Sequence, residues 1–310
     1  MNINEIKSKE EIKCILESQN YIPNMEIIYT LYNAIKLNMP ILIEGPAGVG
    51  KTELAKVLEQ ALNLELVRMQ CYEGLDASKT IYEWDYSKQM LLIQIMQPFF
   101  KEKLDGLSTP EEAIGVIGGG SAFYNKDFLL KRPLLESISG DTRKVLLIDE
   151  LDKSDEEFEA LLLEFLGEFS VTIPEYKTIK CPEGKEPIVI LTSNSKRELS
   201  DALKRRCAYL YIDYPTEKLE AEIIEKKADV DSDFALKVAK AVAKIRNIDR
   251  VKQKPSISES ILWTQSLVLN LGVDSFNHNN KDEIDLTLST LLKNKKDIDA
   301  VKNSNYLPNC

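Results

Sequence analysis

The chain has 310 residues, of which 44% are hydrophobic and 29% charged, and its formal net charge is −10. This length suits one sizeable core plus a smaller unit, and the acidic balance argues against sequence-independent nucleic-acid binding through a broad basic face, although not against a locally basic pore. Histidine-based catalysis, a histidine-rich metal site and a disulfide framework are disfavoured by a single histidine, His278, and five scattered cysteines: Cys14, Cys71, Cys181, Cys207 and Cys310.

The sequence also bears on the compartment of the protein. The N-terminal residues 1–13 lack the apolar core of a signal sequence, and no apolar run is long enough to span a membrane. We therefore expect a cytoplasmic protein with reduced cysteines.

A helix precedes the first motif. Asn24 is a candidate cap for a helix with apolar residues at helical spacing. Just before it, Tyr21 and Ile22 are as typical of residues near a nucleotide base as of ordinary core packing.

The most informative motif lies at residues 41–52, where an apolar run breaks into glycines and ends in Lys-Thr. Its context is a strand pattern before the glycines and a helical pattern after them. Lys51 is expected to reach the β- and γ-phosphates of ATP, and Thr52 to hold Mg²⁺. Backbone N–H groups at the start of such a helix cradle phosphates. Eight residues match the complete phosphate-binding pattern: Gly45, Pro46, Ala47, Gly48, Val49, Gly50, Lys51 and Thr52.

An insertion follows the second predicted strand, residues 64–69. It covers about residues 71–104, where a simple α/β unit would go directly to its next helix, and we expect it to project from the core. Its aromatic residues favour internal packing over a binding surface by a small margin. The glycine-rich segment 105–127 predicts a loop and not a second nucleotide site, and residues 131–138 predict a short helix.

Residues 145–148 are four consecutive apolar residues, which predict a strand buried on both faces of a parallel sheet. Asp149 and Glu150 follow at its carboxyl end, where ligands bind in such sheets. Asp149 suits a Walker B role, in which it holds Mg²⁺ through the water shell of the ion. Glu150 is placed to orient or deprotonate an attacking water. Such a pair alone is more typical of a solvated turn, but the complete phosphate loop favours the catalytic interpretation.

The next elements complete the predicted sheet. Residues 154–157 predict a capping box that opens a helix, and residues 169–181 predict a β-hairpin. The strand 187–193 ends at Asn194, which either contacts the γ-phosphate or attacking water, or simply ends a turn. A helix over 199–206 ends in Arg205 and Arg206, where basic residues commonly compensate the helix dipole.

Pro215 marks a domain boundary, because only helical patterns follow a last strand at 209–212. We expect a nucleotide-binding αβα domain over residues 1–213. Residues 214–310 are expected to form a helical domain that acts as a lid over the nucleotide.

This order of parts resembles the AAA+ ATPases of the MoxR group, in the clade that carries a helix-2 insert and a hairpin before the sensor-1 strand. The resemblance covers roughly residues 20–270. It implies an α/β P-loop NTPase fold with an αβα parallel-sheet core, the helix-2 insert, the pre-sensor-1 β-hairpin and a small all-α lid domain. Segments that resemble the CoxD-like branch are CYEGLDASKTIYEWDYSKQ, DEEFEALLLEFL, VTIPE, ILTSNSKRELSDALKRRC and IDYP.

The resemblance also implies roles for individual residues. Lys51 and Thr52 correspond to Walker A, Asp149 and Glu150 to Walker B, and Asn194 to sensor 1. An arginine finger offered to the neighbouring subunit corresponds to Arg206, with Arg205 as second choice. The lid departs from the pattern, because residues 255–260 contain no sensor-2 arginine. Either lid closure couples weakly to hydrolysis, or a nearby cation substitutes: Arg250, Lys252 or Lys254.

For the whole protein, the resemblance implies an ATP- and Mg²⁺-dependent homo-oligomer, usually a hexameric ring. Members of the group are similar to chaperones that remodel metalloenzymes or insert their cofactors, beside a von Willebrand A domain partner. The CoxD branch is associated with the molybdenum–copper centre of carbon monoxide dehydrogenase. Our leading hypothesis is therefore an ATPase that assists maturation of a metalloenzyme client.

Two other functions fit parts of the sequence. A P-loop small-molecule kinase would need an acceptor-binding lid with arginine and aspartate on the same chain, whereas Glu150, Asn194 and the arginine pair suit water activation between subunits. A DNA-processing AAA+ motor would need a hairpin with several basic residues. The hairpin region instead carries two lysines against three glutamates: Lys177 and Lys180 against Glu175, Glu183 and Glu186.

Overall fold

A computed structural model describes residues 6–104, 123–273, 275–276 and 281–308. The strands are β1 Ile41–Glu44, β2 Glu65–Gln70, β3 Tyr82–Trp84, β4 Leu129–Lys131, β5 Lys144–Asp149, β6 Ser170–Thr172, β7 Thr178–Lys180, β8 Ile188–Ser193 and β9 Ala208–Tyr211. The helices are α1 Lys9–Ser18, α2 Met25–Leu37, α3 Lys51–Leu62, α4 Tyr86–Leu104, α5 Pro133–Ser137, α6 Glu156–Glu168, α7 Asp201–Arg206, α8 Glu217–Ala228, α9 Ser232–Arg246, α10 Ile257–Leu271, α11 Lys281–Leu291 and α12 Lys295–Lys302.

A five-stranded sheet has the order β2-β5-β8-β1-β9. Parallel pairing joins β2 to β5 and β5 to β8, and every residue of β5 and β8 is buried. Continuous apolar runs make such strands, because helices cover both faces of a parallel sheet. The predicted αβα core, the hairpin of β6 and β7, and the helical C-terminal region are therefore confirmed.

The chain forms two compact units. The hairpin unit comprises Asn33–Leu42 and Leu58–Ala208, and its core packs around β5, β8 and α6. The phosphate-loop unit comprises Met1–Tyr32, Ile43–Val57 and Tyr209–Cys310. Its core lies among α8 to α12 and is built around the fully buried Trp263. The expected domain boundary after residue 213 stays a prediction.

The insertion after β2 packs only part of its aromatic cluster. Strand β3 pairs antiparallel with β4, and Trp84 is buried with edge-to-face contacts to Tyr82 and Tyr124. Tyr72 and Tyr86 are exposed. The expected internal packing is therefore found for Trp84 and not for the exposed Tyr72 and Tyr86.

The start of α6 corrects one sequence expectation. Its N-cap is Asp155, whose carboxylate accepts the Phe158 N–H at 2.9 Å. Ser154 Oγ instead donates to the Leu151 carbonyl at 2.8 Å, which closes a 3-10 turn at Leu151–Lys153. The capping box predicted at Ser154 is therefore wrong, because with Asp155 as cap the third helical position holds Phe158, which offers no reciprocal acceptor.

Three sequence expectations fall partly or wholly outside the described residues. Residues 123–127 form turns, whereas the rest of the predicted loop, residues 105–122, lies outside them. His278 and Cys310 also lie outside the described part of the chain. Among the helices of the described ranges, none is long and apolar enough to cross a membrane.

Candidate active site

The phosphate loop joins the buried strand β1 to α3 and requires glycine at two close approaches. A Cβ on Gly45 would lie 2.0 Å from the Ile212 carbonyl oxygen, and one on Gly48 would lie 2.2 Å from Ser256 Cβ. Gly48 also has a φ of +75°, which side chains disfavour. These two glycines therefore fix the path of the loop between Ile212 and Ser256.

Lys51, the first residue of α3, is turned back along the loop. Its Nζ donates to the carbonyl oxygens of Gly45 and Pro46, at 2.7 Å in each case, and the side chain is buried. An ammonium in this position can donate charge-assisted hydrogen bonds to phosphate oxygens held by the loop. Thr52 follows in the first turn of the same helix.

A cavity of about 690 Å³ adjoins the loop within the phosphate-loop unit. Gly48, Val49 and Gly50 line one side, and Tyr21 and Ile22 line another. Ligand sites for drug-sized molecules are typically apolar clefts of about 300–1,000 Å³, so this cavity is large enough for a nucleoside. Burial, together with the Glu53 carboxylate, raises the pKa of Tyr21, and its phenol therefore stays neutral.

The C-terminal helices also reach this cavity. Ser256 caps α10 in a complete capping box with Glu259, and the Ile257 N–H donates to the Gly48 carbonyl at 3.3 Å. Lys227 of α8 lines the cavity and forms an ion pair with Glu53 at 3.6 Å. The three predicted sensor-2 substitutes, Arg250, Lys252 and Lys254, are exposed, and within the described chain they are not among the residues that line the cavity.

A buried arginine, which sequence reasoning missed, organises the same helices. Arg246 of α9 makes a bidentate pair with Glu220 of α8, at 2.5 and 2.8 Å. Its Nε donates to the Pro255 carbonyl at 2.9 Å, and its guanidinium lies 4.6 Å from the ring centroid of Tyr214. Both partners of the pair are buried, so Arg246 stabilises the packing of α8, α9 and the start of α10 and is not a mobile cation.

In the hairpin unit, the ends of β5 and β8 hold the two predicted Walker B carboxylates. Thr192 Oγ1 donates to Asp149 Oδ1 at 2.6 Å and accepts the Glu150 N–H at 3.0 Å. Glu150 adopts φ 57° and ψ 47°, in the left-handed region that non-glycine residues rarely populate. Such a strained residue is a reason to suspect a functional position, and the Thr192 hydrogen bonds are what hold it here.

Both oxygens of Glu150 have partners. Gln70 Nε2 and Lys153 Nζ donate to Oε2 at 2.7 and 2.6 Å, and Asn194 Nδ2 lies 3.4 Å from Oε1. The structure thus brings Glu150 and Asn194 together, and their roles as catalytic carboxylate and sensor 1 stay predictions. Asp152, which is buried, fixes Asn194 by accepting its backbone N–H at 3.1 Å.

Asp149 is almost fully buried and already faces a cation. Arg68 Nη2 lies 2.7 Å from Asp149 Oδ2 and 3.1 Å from Gln70 Oε1. The donors expected for Mg²⁺, the Asp149 carboxylate and the Thr52 hydroxyl, are the hard oxygen ligands that this ion prefers. Each of these two donors therefore fits a magnesium ion by its chemistry, and their joint role stays a prediction.

Cys71 lies beside this carboxylate group. Its backbone N–H donates to the Asp149 carbonyl at 2.9 Å. Burial, followed by the charges of Asp149, Asp152 and Glu150, raises the pKa of the Cys71 thiol to about 12. A neutral thiol is a weak nucleophile, so this environment does not activate Cys71.

The arginine pair lies at the end of α7, and both side chains are exposed. Arg206 Nη1 donates to the Leu163 carbonyl of α6 at 3.0 Å, and a Cβ on Gly167 would lie 2.8 Å from the same nitrogen. Glu159 of α6 accepts the Ser200 N–H at 2.9 Å at the start of α7. Helix α6 therefore positions α7 at both of its ends.

The chain is similar to several known proteins. The family model for the AAA domain of the dynein-related subfamily matches residues 40–207, more than half of the chain. The chaperone protein ClpB of Bacillus anthracis is 28% identical over 161 residues, which cover 51% of this chain and 14% of the relative. ClpB of Chlamydia trachomatis serovar D is 26% identical over 247 residues, 76% of this chain and 24% of the relative.

One further relative matches a short segment, and one solved structure aligns with most of the chain. Human dynein axonemal heavy chain 3 is 51% identical over 47 residues, which cover 15% of this chain and 1% of the relative. The structure of the Thermotoga maritima RuvB Holliday junction branch migration motor has a TM-score of 0.44 at 17% identity, and the match covers 96% of this chain and 74% of that one. The chain spans at most about a quarter of the length of these ClpB relatives. By the match over residues 40–207, the chain belongs to the dynein-related subfamily of AAA domains.

Proposed function

We propose that this chain binds ATP with Mg²⁺ and hydrolyses it as a homo-oligomeric ring, most simply a hexamer. The observation that carries the proposal is Glu150, which has a left-handed backbone conformation at the end of a buried strand, donates its N–H to Thr192 and has Asn194 beside its carboxylate. Family membership supports the coarser statement, because AAA+ proteins generally bind nucleotide with Mg²⁺ and commonly oligomerise. Hydrolysis by this chain is the step that we add.

The proposed roles follow the chemistry of each side chain. The backbone N–H groups that follow Pro46 in the loop hold phosphate oxygens, and Lys51 adds a positive charge at the β- and γ-phosphates. Thr52 and Asp149 would hold Mg²⁺, which supplies charge neutralisation on the phosphate oxygens when it is bound.

Hydrolysis needs an oriented water. Glu150 accepts a proton from that water or orients it, and Asn194 keeps the carboxylate turned toward it. In this proposal Arg206, with Arg205 as second choice, acts on the nucleotide of a neighbouring subunit. Residues 1–213 form the nucleotide-binding domain, and residues 214–310 form the lid.

We further propose a chaperone-like role in metalloenzyme maturation, with a von Willebrand A domain partner and a client that resembles carbon monoxide dehydrogenase. Two findings support this role. Several segments resemble the CoxD-like branch of the MoxR group, and the ClpB relatives are named as chaperones. The acidic net charge of −10 is consistent with a protein client and does not favour nucleic acid.

The mass of the particle in solution, measured with and without ATP, tests the proposal together with phosphate release. We expect a ring-sized particle in the presence of ATP and steady phosphate release. A particle that remains monomeric in ATP, and releases no phosphate at any protein concentration, would overturn it. Co-purification of a tagged chain with a von Willebrand A domain protein from the same cells tests the finer role.

A further inference from the structure

The ion pair between Arg68 and Asp149 is short and unequally exposed. Arg68 Nη2 lies 2.7 Å from Asp149 Oδ2, and the side chains are 49% and 7% exposed, respectively. The strand register explains the contact, because β2 lies beside β5 and Gln70 pairs with Asp149. Arg68 lies two residues before Gln70, so its side chain is on the same face of the sheet as that of Gln70. A hydrogen bond between two charged groups at this distance is among the stronger polar contacts in proteins.

The pair leaves Asp149 with a protein donor on each oxygen. Thr192 donates to Oδ1 at 2.6 Å and Arg68 to Oδ2 at 2.7 Å. A carboxylate that is almost fully buried requires such partners, because an unpaired charge there is costly. Arg68 therefore supplies a positive charge to this buried carboxylate in the absence of a metal ion.

We propose that Arg68 is a counter-ion of Asp149 in the metal-free chain, and that its contact with Oδ2 must break before Asp149 can serve the metal–nucleotide complex. This inference rests on the proposed function and adds a residue that opposes metal binding. Arg68 is thus a positioning residue, because it acts through Asp149.

Two features allow Arg68 to move. Its side chain is half exposed, and β2 is the outer strand at one end of the sheet. The same Nη2 also lies 3.1 Å from Gln70 Oε1, which offers the guanidinium a second acceptor after displacement. The pair of Arg246 with Glu220 is different, since both of its side chains are buried and three acceptor contacts hold the guanidinium.

The test measures how strongly Mg²⁺ improves nucleotide affinity. The dissociation constant of a fluorescent ATP analogue is measured in EDTA and in excess Mg²⁺. The value in EDTA is divided by the value in Mg²⁺, so a larger ratio means that Mg²⁺ improves affinity more, and this ratio is compared between variants. This ratio cancels any effect of the substitution that is equal for nucleotide with and without Mg²⁺. In Arg68→Met we expect the ratio to rise about 3- to 10-fold, because the ion no longer has to displace a partner.

Arg132→Met is the matched control. Arg132 forms an ion pair with Glu83 elsewhere in the same unit, with 45% of its side chain exposed, so its loss should leave the ratio unchanged. Arg68→Lys keeps the charge and should give a ratio close to wild type. Thermal unfolding shows whether each variant is folded, and Arg68→Gln replaces Arg68→Met if the latter is not.

The outcomes separate this inference from the proposed function. A folded Arg68→Met or Arg68→Gln chain whose ratio equals or falls below that of wild type overturns the inference, while Mg²⁺-enhanced binding by wild type leaves the proposed function standing. A wild-type chain that binds no nucleotide in either condition overturns both.

Discussion

Asn194 Nδ2 and Glu150 Oε1 lie 3.4 Å apart at the ends of strands β8 and β5. This separation is at the long end for a hydrogen bond, whereas Gln70 and Lys153 hold Oε2 at 2.7 and 2.6 Å. Oε2 of Glu150 therefore accepts two short hydrogen bonds, whereas Oε1 accepts one long one. We expect Oε1 to be the oxygen that receives the water proton, because exchanging a long hydrogen bond costs less.

Changing Lys51 to alanine should remove tight nucleotide binding. The ammonium of Lys51 lies in the loop on the Gly45 and Pro46 carbonyls, and losing its charge-assisted bonds to phosphate should weaken ATP affinity by about 100-fold or more. Equilibrium titration with a fluorescent ATP analogue measures this. Lys56→Ala, on an exposed position of the same helix, is the control, and equal affinity in the two variants would contradict the assignment of the loop.

Changing Glu150 to glutamine should leave ATP bound and stop its turnover. The amide keeps the shape of the carboxylate and a partner for Asn194, but it accepts no proton from water. We expect phosphate release to fall by about 10²- to 10⁴-fold with an ATP dissociation constant close to wild type. Glu157→Gln, on the exposed first turn of α6, should behave as wild type. Turnover that survives in Glu150→Gln would move the catalytic role to another residue.

Arg206→Ala should leave ATP binding by an isolated subunit nearly intact and lower turnover by about 10³-fold, the scale known for arginine fingers. Its hydrogen bond to the Leu163 carbonyl is exposed, so we expect the free energy of unfolding to change by less than about 1 kcal/mol. Phosphate release and denaturant unfolding measure the two effects. Arg205→Ala, on the adjacent exposed position, shows which arginine of the pair acts.

Mixing two inactive variants tests whether Arg206 acts on a neighbouring subunit. A ring of Arg206→Ala and Glu150→Gln chains contains some interfaces where an intact Glu150 meets an intact Arg206. Partial activity should therefore return on mixing. Absence of recovery, despite co-assembly shown by two different tags, would defeat the trans assignment.

Stability should decline in alkaline solution because of two buried thiols. Burial raises the pKa of Cys207 to about 12, and burial with nearby carboxylates does the same for Cys71. A pKa that is raised in the folded state means that the unfolded chain loses its proton first, near pH 8.5. The stability that each buried thiol contributes is therefore fully present below that pH and is lost as the pH rises above it. From pH 8 to 10 we expect each thiol to lower the free energy of unfolding by about 2 kcal/mol.

Urea unfolding at pH 8 and pH 10 checks this dependence. Cys207→Ala should show a smaller loss between the two pH values than wild type, even if it is less stable at both. The exposed Cys14 is the matched control, and Cys14→Ala should keep the wild-type dependence. Identical pH dependence in all three proteins would show that the buried thiols do not contribute.

Much of this fold could be predicted because its signals are local. The phosphate loop, the buried strand before Asp149 and the hairpin each occupy one short stretch, in which apolar period and turn residues determine the element. Asn24 illustrates the same point, since its side chain caps α2 by accepting the Ile27 N–H at 2.8 Å, as its sequence position indicates.

The residues that hold the carboxylates could not be predicted, because they depend on which strands are neighbours. Arg68 and Gln70 reach Asp149 and Glu150 only because β2 pairs with β5 across about 80 residues of sequence. The sequence offered one signal, because Arg68 and Gln70 are two residues apart on a strand and therefore place two long polar side chains on the same face. Arg246 was missed for a similar reason, since a buried arginine is invisible until its partner Glu220 is placed.

The approach of Ser256 to Gly48 makes one backbone amide a natural reporter. The Ile257 N–H donates directly to the Gly48 carbonyl, so its exchange with deuterium depends on whether the start of α10 stays on the loop. A nucleotide that draws the loop toward its phosphates, or pushes the helix away, should alter the protection of that amide before any product forms. The deuterium-exchange rate of this amide therefore reports how the start of α10 responds to ATP, and no label has to be attached to the protein.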